Sequence, residues 1–188
     1  DGPLAMYSGK ASHLGAKDMP SPMFLAGVDC VGCHYDAGGK SAEIKGHTVK
    51  ASAEACVKCH GASFAGVWED TKAELAGTLA KLTAKEAALQ AAAPALTGDK
   101  AKAAKAAAAE AGKRLNFVRA GRGEHNIYLA STLLTEADRR LTAGLEAAGA
   151  TAQDLSALPL LSGAYCATLC HSKVGVKVPP ETVRYKGE

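Results

Sequence analysis

The chain reads as a mainly α protein with much irregular loop: a central alanine-rich helical bundle flanked by glycine-rich segments, with little or no β-sheet. Three observations point there. Leucines recur at helical spacing through the middle third, alanine and lysine dominate Ala101–Ala111, and turn residues crowd both flanks. At 188 residues it is long enough for one domain, yet aromatic residues make up only 5%. The large apolar bodies that usually fill a core are scarce.

Residues 1–70 carry the turn signals Met19-Pro20-Ser21-Pro22-Met23, Gly38-Gly39 and Gly61 and show no sustained periodicity. An irregular segment is expected, with short helical turns only at its cysteine motifs. From Thr71 to Ala93, Leu75, Leu79, Leu82 and Leu89 mark one helical face, and Pro94 ends the run. Pro94–Asp99 is a loop in which Thr97 or Asp99 can cap the second helix. That helix is expected over about Lys100–Val118, where alanine favours helix on propensity and the charged lysines suit a solvated helix with a thin packing face. Gly121 and Gly123 break it. The third is expected over about Glu124–Ala148, with Ile127, Leu134, Leu141 and Leu145 inward and Gly149 closing it. The expected bundle, residues 71–149, has two long hairpin-packed helices and a shorter one. Residues 150–188 return to loop and end in an extended tail.

The chemistry lies in the flanks. All six cysteines and three of the six histidines fall into three copies of one pattern: Cys30-Val31-Gly32-Cys33-His34, Cys56-Val57-Lys58-Cys59-His60 and Cys166-Ala167-Thr168-Leu169-Cys170-His171. Cys-x-x-Cys-His is the attachment signature of c-type haem, in which two thiols add to the porphyrin vinyl groups and the histidine ligates iron. The third copy has one extra residue between its cysteines. A zinc ribbon could use Cys30, Cys33, Cys56 and Cys59. It would not explain a histidine after every second cysteine, nor the isolated pair Cys166 and Cys170. A disulfide framework fails because pairs so close in sequence are strained. Three c-type haems are therefore expected, held through Cys30, Cys33, His34, Cys56, Cys59, His60, Cys166, Cys170 and His171. They would supply the missing apolar mass, so the fold around them is expected to depend on them.

Three histidines remain, one for each iron: His13, His47 and His125. His125 stands at an expected helix start, which would hold its imidazole rigidly. His47 lies in the short connector between the first two motifs, and His13 in a glycine-flanked loop. Met6, Met19 and Met23 are the competing sixth ligands, but methionine also fills irregular gaps, and packing against porphyrin is the reading preferred for them. Trp68 is read as a packing residue.

These residues resemble the multihaem c-type cytochromes of the class III type and their larger relatives. The echoes are Pro20-Ser21-Pro22-Met23 leading into Val28-Asp29-Cys30, and Gly123-Glu124-His125-Asn126-Ile127-Tyr128 with Leu133-Leu134 behind it. In such relatives this second stretch opens a long helix and its histidine is a distal haem ligand, which the resemblance implies for His125. The relatives transfer electrons along closely packed haems. The long motif at Cys166 departs from the pattern, and the tail Val178–Glu188 looks like a segment that in longer relatives leads to further haem-binding sequence.

An electron carrier rather than an enzyme is the expected function, because iron with two protein ligands has no open position for substrate. Redox proteins met in transient encounters are the expected partners. Self-association, as a subunit of an extracellular cytochrome filament or larger redox complex, is one alternative. A reductase of nitrite, sulfite or hydroxylamine with one open haem is another, although only Lys173 and Tyr165 stand beside the third motif. The net charge of +3 gives no reason to expect nucleic acid. No apolar run reaches the length of a membrane span. Covalent haem attachment takes place outside the cytoplasm, so a periplasmic or extracellular location is expected, with a signal peptide already removed.

Overall fold

A computed structural model describes residues 2–34, 51, 53–165, 168 and 171. The protein is mainly α, and among the described residues there is no β-strand. Its centre is three long helices, α5 (Val67–Ala92), α6 (Gly98–Ala120) and α7 (Ile127–Ala147). Shorter helices surround them: α1 (Gly2–Tyr7), α2 (Pro22–Leu25), α3 (Cys30–His34), α4 (Ala53–His60) and α8 (Pro159–Ser162).

On α5, Val67, Thr71, Leu75, Thr78, Leu82, Lys85 and Leu89 are buried, a stripe stepping by three and four residues. The helix begins four residues earlier than the leucines alone imply. It yields to a 3-10 turn at Ala93–Ala95, where Pro94 cannot continue the hydrogen-bond ladder. Thr97 occupies the N-cap position of α6 without a side-chain cap bond. Within the alanine-rich run only Ala104 and Ala111 are fully covered, so α6 does present the thin packing face its composition implies. It packs mainly on α7. The bundle is not two long helices and a shorter one: α5, α6 and α7 have 26, 23 and 21 residues, and nine residues of α7 are buried. Gly149 (φ 74°) closes it, as a C-terminal glycine does.

Two glycines show how closely the helices meet. A Cβ on Gly123 would lie 2.9 Å from Val118, 3.0 Å from Leu75 and 3.1 Å from Ala130, touching all three long helices. At the other end, a Cβ on Gly144 would lie 2.7 Å from Leu89 and 2.9 Å from Ala107. These contacts set α6 antiparallel to both neighbours. Near Gly144, the buried Lys85 ammonium donates to Asp138 Oδ1 and Thr142 Oγ1, both at 2.6 Å, joining α5 to α7. A cavity of about 400 Å³ lined by this group, Glu146 and Asp154 lies there.

The flanks are more ordered than expected. Residues 2–34 form an arm along the bundle, with Met6 and Ala11 fully buried. Met6 thus belongs to the helical core. Asp18 Oδ1 accepts from the amides of Ala11 and Ser12, both at 2.8 Å, closing one loop of the arm. Arg114 on α6 donates to the Leu14 carbonyl at 2.5 Å and to Glu110, fastening that loop to the bundle. Beyond α7 the chain is not simple loop: Leu155, Leu160, Leu161 and Tyr165 re-enter the core, and Ser131 donates to the Leu160 carbonyl at 2.5 Å.

Candidate functional site

The described motifs gather at the end of the bundle where α5 and α7 begin. The first is α3 itself. Asp29 Oδ1 accepts from the amides of Val31 (3.1 Å) and Gly32 (3.2 Å), satisfying donors that a helix start leaves unpaired. The Tyr7 hydroxyl donates to the Val28 carbonyl at 2.5 Å, tying the motif back to α1. Burial raises the Tyr7 pKa, and the neighbouring Cys33, Cys30 and Asp29 raise it further.

The second motif closes α4, which packs on α3. All four thiols are free, Cys30 and Cys59 exposed, Cys33 and Cys56 half-buried. Burial raises the pKa of Cys33, and Cys56, Cys59 and Cys30 add to the rise, so the thiols of the two motifs feel one another. Burial likewise raises Cys56, with Cys59 contributing. The His60 ring stacks on Phe64, centre to centre 4.4 Å. Among the described residues, no three side chains of His, Cys, Asp or Glu are grouped so as to hold a metal ion.

The third motif is described only at Thr168 and His171. Cys166 and Cys170 lie outside the described residues, as does His47. The residue before it is well anchored: Tyr165 is buried, its hydroxyl 3.1 Å from Thr71 Oγ1 on α5 and its ring edge-on to Tyr128 on α7 at 6.3 Å. His171 Nδ1 is buried with no hydrogen-bond partner.

The expected distal histidines fare differently. His13 is exposed and lies edge-on to Phe117 of α6 at 5.2 Å. His125 faces the first motif: its ring centre is 6.1 Å from that of His34, and the two planes are 18° apart. His125 Nδ1 lies 3.0 Å from the Arg122 carbonyl and 3.2 Å from that of Gly121. Carbonyl oxygens only accept, so Nδ1 is the donor in both contacts, and the neutral ring in that tautomer has its lone pair on Nε2.

These residues suit a haem in three respects. His34 and His125 bring two imidazoles together at the first motif, ring centres 6.1 Å apart and planes 18° from parallel, where they would be the two that hold the iron. The carbonyl-bound Nδ1 is the outer contact that metal-ligating histidines ordinarily make. Beside the first motif, Met23, Phe24, Leu25 and Val31 are exposed apolar side chains, a cluster suited to covering a porphyrin face.

Residues outside the motifs position the site, and Asn126 is the chief among them. It is 2% exposed, its Oδ1 accepts from Leu129 N at 3.2 Å, and its Nδ2 donates to the carbonyls of Met6 (3.1 Å) and Met19 (2.6 Å). An asparagine directly before a helical stripe is an N-cap signal readable in sequence. Its long-range bonds are not. Asp29 before its motif helix carried the same capping signal, and Tyr128 stood in the resembling stretch, whereas Tyr7 and Thr71 carried none.

Comparison with family models, curated proteins and solved structures returned no match.

Proposed function

We propose that this chain is an extracytoplasmic multihaem c-type cytochrome that passes electrons through three covalently attached haems. The observation that carries the reading is the facing pair His34 and His125 at 6.1 Å. A bound haem supplies the one-electron couple of its iron. The chain's own groups do the rest. Cys30 with Cys33, and Cys56 with Cys59, offer accessible thiols for attachment on two helices in contact, which brings the first two sites together. His34 presents one imidazole and His125 the other, with the Nδ1 proton held on main-chain carbonyls so that Nε2 stays available. Met23, Phe24, Leu25 and Val31 exclude water from that face. Tyr165, the residue before the third motif, is fixed between Thr71 and Tyr128 at the same end.

A site closed on both sides changes oxidation state with little rearrangement, which suits transfer to redox proteins in brief encounters. Among the described residues no helix is long and apolar enough to cross a membrane.

The test is the mass and spectrum of the protein matured in a cell able to attach haem. Three haem adducts and low-spin ferric haem are expected, and His125→Ala should turn one haem in three high-spin. A mature chain without haem adducts sinks the proposal. A full low-spin complement in the His125→Ala protein removes the assigned role of His125.

A further inference from the structure

We infer that Asn126 is a positioning residue that sets the gap between His34 and His125, by locking the arm that carries one to the helix that follows the other. The inference rests on the proposed haem site and adds a control over its closure. His34 ends the arm formed by residues 2–34, while His125 sits in the 3-10 turn that leads into α7. Nothing covalent short of ninety residues joins them, so their spacing depends on contacts between arm and bundle.

Asn126 makes that connection at the residue next to His125. Its side chain uses every hydrogen-bonding group it has. One oxygen caps α7 through Leu129 N, and the two amide hydrogens go to Met6 and Met19, thirteen residues apart on the arm. Both acceptors are main-chain carbonyls, so it is the path of the arm, not a side chain, that is held. The arm is otherwise drawn in at the same place. Gly9 (φ 74°) approaches the Met19 backbone so closely that a Cβ would overlap it, and a Cβ on Gly121 would lie 2.8 Å from Met6 Cβ. From Met19 the chain has only the α2 turn before the first motif, and the Tyr7 bond to Val28 closes it. A shift of the arm by an ångström at Met6 and Met19 therefore reaches His34, and two imidazoles that would hold one iron between them would not both keep it through such a shift.

Capping and clamping can be separated. Asn126→Ser keeps a good N-cap acceptor for Leu129 N but cannot reach both arm carbonyls as a donor. Asn126→Asp keeps the shape and the cap acceptor and, once ionised, donates nothing. Both variants are matured with haem and compared with the parent by mass, far-ultraviolet circular dichroism, and ferric spectra before and after added cyanide. The expected result is three haems and an unchanged helical signal, with one haem in three partly high-spin or reactive to cyanide, and with added imidazole restoring its low-spin spectrum. Three low-spin, cyanide-inert haems in both variants overturn the inference. So does loss of the helical signal in both, since Asn126 would then serve the fold alone. A parent protein that lacks haem, or that already binds cyanide at one haem, fails the proposed function instead, and the two failures are read from different samples.

Discussion

At position 122 the backbone adopts φ 53°, which among the described residues no other non-glycine does. An L-residue there carries a cost of about 1–2 kcal/mol, because Cβ crowds the following carbonyl. The turn it makes brings its own carbonyl to two donors of the same residue, the amide of His125 at 2.9 Å and the imidazole Nδ1 at 3.0 Å. The strain thus sits where a ring has to be oriented, as strained residues commonly do. Glycine would adopt the same conformation freely. Arg122→Gly is expected to leave the spectrum of the first haem unchanged and to stabilise the protein by about 1 kcal/mol, measured as a raised melting temperature. A lower one would show that the arginine side chain, and not its backbone, is what the position needs.

At the scale of elements, the junction between α6 and the arm has a titratable latch. Lys113, and after it Arg114, hydrogen-bond to Glu110 and hold its pKa at about 2, well below its ordinary 4.5. A lowered folded-state value means that the ionised form favours the fold. Its contribution is complete above pH 4.5 and disappears as the pH falls towards 2. Melting curves of Glu110→Gln should therefore lie below those of the parent at neutral pH and converge with them by about pH 2. Parallel curves over that interval would show that Glu110 does not act through its charge. The elements themselves were legible to different degrees. Leucine spacing and helix breakers located α5, α6 and α7 to within a few residues, because each buries one stripe on its neighbours. The arm was not legible as an element. Its order comes from Asp18, Arg114 and Asn126 binding carbonyls and amides up to 120 residues away, and such contacts leave no period in the sequence. For the same reason His125 could be singled out beforehand from its place before a helix, but its partner could not.

For the molecule as a whole, the scarcity of aromatics suggested that the fold around the haems would depend on them. The central bundle fills itself with leucine and alanine: Leu82, Leu89, Leu115, Leu133, Leu134 and Leu141 are wholly buried against one another and their neighbours. Burying each such side chain is worth about 1.5–3 kcal/mol, and all of them belong to one core cluster. A chain with all six cysteines changed to serine, and so unable to attach haem, is expected to keep most of its far-ultraviolet helical signal. A coil-like spectrum would show that the bundle needs the motif end completed before it can form. The two glycine contacts bear on how that bundle moves. Gly123, in the turn before α7, and Gly144 are separated by about 25 Å of that helix, and at each of them α5, α6 and α7 meet closely. Three rods bound together at both ends cannot fan open at either one, so the bundle behaves mechanically as a strut. A push on the turn at Ala93–Thr97 reaches the Gly123 end as rigid translation or rotation, with little taken up by bending in between.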